Sequence, residues 1–139
     1  MKVQRTTFRA RYAETDAMGV VHHAAYLPWL EVGRVNLLRE AGMPYGDIEA
    51  RGFLIVLSDI QVRYRRPARF DDLVTVESMV TQAKRRRVSF GYRILLHDTA
   101  DVLVEAETHH IVVSRDTMRA TQLPEDLFAG LLPWVKEMC

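Results

Sequence analysis

Residues 6–12, TTFRARY, set β-branched and aromatic side chains between charged ones, and that alternation predicts a half-buried strand. Residues 24–41, AAYLPWLEVGRVNLLREA, predict a long helix. Gly42 closes it, with Arg39 in the final turn. Residues 44–52 lie between two turn signals and predict a short helix or turn. Four further runs, residues 54–64, 73–83, 87–97 and 102–114, are long enough for strands, with turn signals at PARFDD, KRRR and DTAD between them. A closing helix is expected over residues 124–139, weakened by Gly130 and Pro133.

The order is therefore strand, long helix, four strands. Short connections make those four consecutive antiparallel neighbours, an α+β class and not a doubly wound sheet. No internal repeat or linker-like stretch interrupts residues 1–139, so one domain is expected. At ~100° per residue, Leu27, Glu31, Arg34 and Leu38 fall on one stripe of the long helix. The other side holds Trp29, Val32, Gly33 and Asn36. Such a helix wants burial on most sides, and a curved sheet about it would supply that. Glu31 and Arg34 form a candidate i,i+3 ion pair.

Composition narrows the class without naming a chemistry. The 139 residues are 48% hydrophobic and 27% charged, which excludes disordered, collagenous and disulfide-scaffold chains. Nineteen Lys+Arg against 18 Asp+Glu leave +1, so no global charge points to nucleic acid or a membrane surface. The single cysteine, Cys139, cannot close an intrachain disulfide. No apolar run approaches the ~18 residues of a membrane span, and the N-terminus lacks an apolar signal core. A cytoplasmic protein is the expectation.

Chemistry concentrates where the loop enters the long helix. Residues 15–26, TDAMGVVHHAAY, place Asp16, Gly19, His22 and His23 at a helix start. Unpaired N–H groups and the dipole favour an anion or developing oxyanion there. Gly19 permits backbone conformations that would fold the loop back over the site. Alternatively, Asp16 merely caps or turns the chain and the histidines are packing residues.

Residues 11–27, RYAETDAMGVVHHAAYL, resemble the opening motif of hot-dog-fold acyl-CoA thioesterases of the 4-hydroxybenzoyl-CoA thioesterase class. A second stretch of that family is similar to residues 64–73, YRRPARFDDL. With the element order, the resemblance covers essentially the whole chain. It implies that Asp16 stands at the position of the catalytic carboxylate. His23 then supplies the backbone N–H that polarises the thioester carbonyl. It also implies an antiparallel sheet of about five strands wrapping a long helix, an acyl-CoA or acyl carrier protein thioester as substrate, and no metal or cofactor. A homodimer or homotetramer is implied too, with active sites at subunit interfaces. Asp16 would attack the carbonyl or activate water; the sequence leaves both open.

The chain departs from the family pattern at Ala24–Ala25, where an amide commonly follows the His. Pro28 also stands early in the helix. Were Pro28 the first helical residue, the dipole end would lie near Leu27; a short helical turn ahead of it would return that end to His23.

Local basic runs remain. Lys84–Arg87, above all Arg86 and Arg87, and the earlier Arg63, Arg65, Arg66 and Arg69 suit the phosphates of coenzyme A. A solvated turn that blunts a sheet edge explains the hairpin run equally simply. His109 and His110 are strand neighbours, point to opposite faces and cannot share a metal. No G-x-S-x-G elbow or Walker-type loop occurs. The rival from another class is a non-catalytic module on the same scaffold, binding acyl thioesters or nucleic acid. Asp16 discriminates, because a binder has no need of a carboxylate beside an anion-stabilising helix end.

Overall fold

The computed structural model describes residues 2–135. The elements run β1 (Gln4–Arg9), α1 (Tyr26–Glu40), α2 (Tyr45–Ala50), β2 (Phe53–Tyr64), β3 (Leu73–Ala83), β4 (Arg87–Leu96), β5 (Val102–Ser114) and α3 (Glu125–Leu131). All five strands join one antiparallel sheet, in the order β1-β3-β4-β5-β2, with α1 laid across one face.

The α+β class holds; the neighbour relation expected for β2 does not. β2 pairs with β5, not β3, because residues 65–72 form a crossing connection and not a hairpin. Pro67 sits in that connection, and β1 takes the vacant edge of β3, Gln4 opposite Ser78 through Arg9 opposite Leu73. β1 also ends earlier than the alternation suggests. Tyr12–Glu14 coil into a 3-10 turn instead.

Helix α1 buries Tyr26, Trp29, Leu30, Leu37 and Leu38 against the valines of β3 and Phe90 and Ile94 of β4. Gly33 allows the closest approach: a Cβ there would overlap the Ser78 side chain and stand 2.9 Å from Val76 Cγ1. Burial is not as complete as the sequence suggests, for Leu27 and Val32 stay exposed. The Glu31–Arg34 pair does not form. Arg34 turns inward and donates to the Tyr92 hydroxyl at 3.1 Å, which in turn shares a 2.7 Å hydrogen bond with Thr108 Oγ1.

His109 and His110 do point to opposite faces. His110 is fully buried beside Thr108, and burial holds its imidazole down at about 4. On the other face His109 meets Ser89 Oγ at 2.6 Å. That face carries a row in register across all five strands, Arg5, Glu77, Arg93, Glu105 and Arg63. Glu77 is buried within it, accepting from Arg5 at 2.9 Å and Arg93 at 2.7 Å.

β2 lies at the sheet edge with Val56, Leu57 and Ile60 exposed at 39%, 48% and 41%. After α3 a 3-10 turn, Leu132–Trp134, takes up Pro133. The rest of the expected closing helix, with Cys139, lies outside the described residues. Among the described residues no helix is long and apolar enough to cross a membrane.

Candidate active site

The two sequence motifs, far apart in the chain, meet in space. Ala10 and the 65–72 connection exchange hydrogen bonds, Ala10 N to Asp72 O and Asp71 N to Ala10 O, both at 2.9 Å. Beyond the Tyr12–Glu14 turn, Thr15 and Val21 pair antiparallel, with the loop that carries Asp16 between them. Asp16 N–H donates to Val20 O at 2.8 Å, and Gly19 N–H donates to Asp16 O at 3.1 Å. Gly19 closes this loop at φ +81°, in the left-handed region that favours glycine. Val21 N–H then donates to Ala68 O at 2.8 Å, and Val20 pairs with Arg69.

Asp16 is half-buried, and its two carboxylate oxygens differ. Oδ1 accepts from Met18 N–H at 2.8 Å and, more weakly, from Val20 N–H at 3.4 Å. Oδ2 has no hydrogen-bond partner among the described residues. One oxygen therefore holds the turn while the other is open for chemistry. Capping and catalysis are not exclusive here.

The helix begins ahead of Pro28. His23–Ala25 form a 3-10 turn that runs directly into α1, with Pro28 in the helix's first turn, where a missing N–H costs nothing. His22 caps this start: its Nδ1 accepts from Ala24 N–H at 3.1 Å. The N–H of His23 has no partner among the described residues, so the unpaired donor of the helix start falls at His23. The two histidine rings lie 4.2 Å apart but have separate places, His22 at the cap and His23 on the cleft.

Asp16 and His23 line a cleft of ≈ 320 Å³. Met18, Val20, Val21 and Pro67 give it apolar walls, Tyr26 and Tyr64 an aromatic side, and Arg65 and Arg66 a basic rim. Tyr64 donates to the His23 carbonyl at 2.7 Å. Tyr26 accepts from Ala68 N–H at 2.9 Å, and burial pushes its phenol up from the ordinary value. Among the described residues the Arg65 and Arg66 side chains each make one ion pair, 3.3 Å to Glu105 and 3.4 Å to Asp101.

Arg86 and Arg87 are not brought to this cleft. Arg87 opens β4 opposite Ile111, whereas the cleft lies by Tyr64 and its neighbour Val104. Seven residues of β5 separate those levels, about 23 Å at the usual strand rise. Two residues of weight escaped the sequence reading. The cap by His22 was within reach of the rule that a helix start wants a side-chain acceptor. Glu14 carried no such signal, yet its carboxylate accepts from Arg11 N–H at 2.7 Å and Trp29 Nε1 at 2.6 Å. No group of metal-binding side chains occurs among the described residues.

Comparison with known proteins decides the family, for residues 10–131 match the thioesterase-like superfamily. The chain belongs to that superfamily. It is a thioester hydrolase of hot-dog fold. The acyl-CoA thioester hydrolase YbgC of Escherichia coli O6:H1 is 30% identical, aligned over 90% of this chain and 92% of its own length. A Thermus thermophilus crystal structure superposes with a TM-score of 0.88 at 37% identity, covering 94% of this chain and 98% of that one. The DHNA-CoA thioesterase of Staphylococcus aureus gives a TM-score of 0.83 at 30% identity, covering 88% and 81%.

Proposed function

We propose that this thioesterase hydrolyses acyl-CoA to free acid and coenzyme A in the Asp16 cleft. The observation that carries the reading is the pairing of an open carboxylate oxygen, Asp16 Oδ2, with the unpaired N–H of His23 on one cleft. Relatives named for acyl-CoA and DHNA-CoA hydrolysis support the substrate class.

A thioester carbonyl has little resonance to lose, so a positioned carboxylate and an oxyanion donor suffice. The carbonyl oxygen accepts from His23 N–H, and a donor so placed is typically worth about 3–4 kcal/mol in the transition state. Asp16 either attacks the carbonyl carbon or takes the proton of an attacking water. In the first case a mixed anhydride forms, the thiolate of coenzyme A leaves and is protonated, and water cleaves the anhydride to release the acid and restore Asp16. In the second, water adds, the C–S bond breaks, and the proton held by Asp16 passes to the thiolate. Gly19 sets the loop on which either depends.

The proposed assembly is a homodimer, or a dimer of dimers, built on the free β2 edge and its exposed Val56, Leu57 and Ile60. Two-fold pairing of antiparallel β2 strands reverses the partner's direction. The partner subunit's Arg86 and Arg87 would then lie at the cleft end of the sheet, where they could contact coenzyme A phosphates.

The test is a hydrolysis screen over aryl, short-chain and long-chain acyl-CoA, with acyl carrier protein thioesters alongside, read by free-thiol release. Turnover of at least one CoA thioester is expected. Tight binding of acyl-CoA with no turnover would favour a binding module instead.

A further inference from the structure

Glu14 is a half-buried carboxylate two residues ahead of Asp16, and the hydrolysis described above gives it no chemical step. Its side chain nevertheless spans the site's framework. Oε1 accepts from Arg11 N–H at 2.7 Å, where the chain leaves β1. Oε2 accepts from Trp29 Nε1 at 2.6 Å, one turn into α1 beyond His23. The Glu14 carbonyl accepts from His22 N–H at 2.8 Å, the peptide group whose neighbour is the unpaired N–H of His23. Burial alone would raise this carboxyl; the hydrogen bonds from Arg11 and Trp29 outweigh it and hold it below the usual carboxylate range. Trp29 is itself fixed, 3% exposed and packed edge-on against Phe8 and Tyr26 at 5.2 and 5.1 Å.

We propose that Glu14 is a positioning residue for thioester hydrolysis: by clamping the Arg11 and His22 peptides to Trp29 of α1, it sets the Asp16 loop against the His23 N–H. The inference rests on the reading of Asp16 and His23 given above. The loop's own bonds, Asp16 to Val20 and Thr15 to Val21, fix its shape but not its distance from the helix. The Glu14 carboxylate and carbonyl tie the ends of the loop to the exit of β1 and to α1. The Val21–Ala68 bond and the Val20–Arg69 pair tie it to the 65–72 connection, and Tyr64 holds the His23 carbonyl to β2. Charge-assisted acceptors give short, directional bonds, and both short contacts here end on one carboxylate. A displacement of about 1 Å between reacting groups can cost a hundredfold in rate while leaving binding of the remote parts of a substrate intact.

The experiment compares wild type with Glu14→Gln, Trp29→Phe and the double variant. Gln offers one acceptor where two are needed. Phe keeps the ring packing and removes the indole donor. Each single variant should lower kcat about 10- to 100-fold with KM within about threefold. The double variant should be no slower than the slower single one, because both remove the same clamp. The kcat losses should not scale with the changes in melting temperature. Independently of activity, hydrogen exchange of residues 15–23 should quicken at least ~10-fold in either single variant while β3 and β4 keep their protection.

Unchanged exchange in residues 15–23, or kcat losses that simply add and track the melting temperature, would overturn the inference. Failure of the underlying reading shows differently, as hydrolysis that survives Asp16→Asn or as no hydrolysis by wild type. The exchange measurement still decides the clamp in both cases. Should Glu14→Gln fold poorly, Trp29→Phe carries the comparison alone.

Discussion

Tyr64, the last residue of β2, donates its hydroxyl to the carbonyl of His23, the first residue of the helical segment, at 2.7 Å. This bond joins the end of an edge strand to the start of the central helix, on the wall of the cleft that holds Asp16. The two stretches that identify the family are thus held in mutual register by a side chain of the second gripping the backbone of the first. Tyr64→Phe keeps the ring, which meets Tyr26 edge-on at 5.6 Å, and loses only the hydroxyl. Kcat should fall about 3- to 10-fold, the equivalent of one hydrogen bond of about 1 kcal/mol, with melting little changed. Steady-state kinetics check this, and an unaltered kcat would contradict it.

Gly33 gives a prediction that runs against helix propensity. In an exposed helix Ala is better than Gly by about 1 kcal/mol. Here the added methyl meets Ser78 and Val76, so Gly33→Ala should instead destabilise by about 1–3 kcal/mol. Adding Ser78→Gly should recover part of the loss, and thermal melting of the three variants is the measurement.

His110 predicts an acid-side loss of stability. Its unfolded value is near 6.5 and its folded value about 4, with burial the first cause and the Arg34 charge adding to it. Between those limits the unfolded chain binds more protons, so stability falls as pH drops from 6.5 towards 4 and levels off below. Full stability from this group is present above pH 6.5. The difference amounts to about 3 kcal/mol. Denaturant melts of wild type and His110→Gln across that range should show a shallower slope in the variant.

Much of this was legible in the sequence, for reasons that particular residues illustrate. The alternation in residues 73–83 and 87–97 marks β3 and β4 because Val74, Val76 and Val80, and Val88, Phe90, Tyr92 and Ile94, put apolar side chains on the core face at every second position. The motif around Asp16 was readable because Gly19, Asp16 and the helix start form a local unit. What was not legible is non-local. The pairing of β2 with β5 depends on β1 claiming the edge of β3, and no local pattern records that. Arg34 leaves Glu31 for Tyr92, fifty-eight residues away, because a buried hydroxyl outcompetes an exposed partner. Glu14 and Trp29 are fifteen residues apart, and only the turn of the chain at His22 brings them together. Arg86 and Arg87 share a basic run with no cue that they lie far from Asp16 in the same subunit.

The free β2 edge predicts association. Ile60→Lys should convert a dimer into monomers at micromolar concentration, measured by sedimentation, and reduce acyl-CoA turnover with it. Arg86→Ala with Arg87→Ala should raise KM for acyl-CoA more than it lowers kcat, because remote phosphate contacts are made equally in ground and transition states. A wild-type chain that sediments as a monomer would contradict both the assembly and the shared site.

Asp16 is proposed to perform the chemical step, and Asp16→Asn is the variant that tests this. Asn keeps the shape and the Oδ1 acceptor that receives Met18 N–H, so the turn should persist. It can neither attack as an anion nor take a proton from water, so hydrolysis should fall at least ~10²–10⁴-fold. Free-thiol release by the variant is to be measured beside its melting temperature and its affinity for a non-hydrolysable acyl-CoA analogue. Turnover should be lost with folding and analogue binding retained; turnover near that of wild type would show that Asp16 does not perform the chemical step.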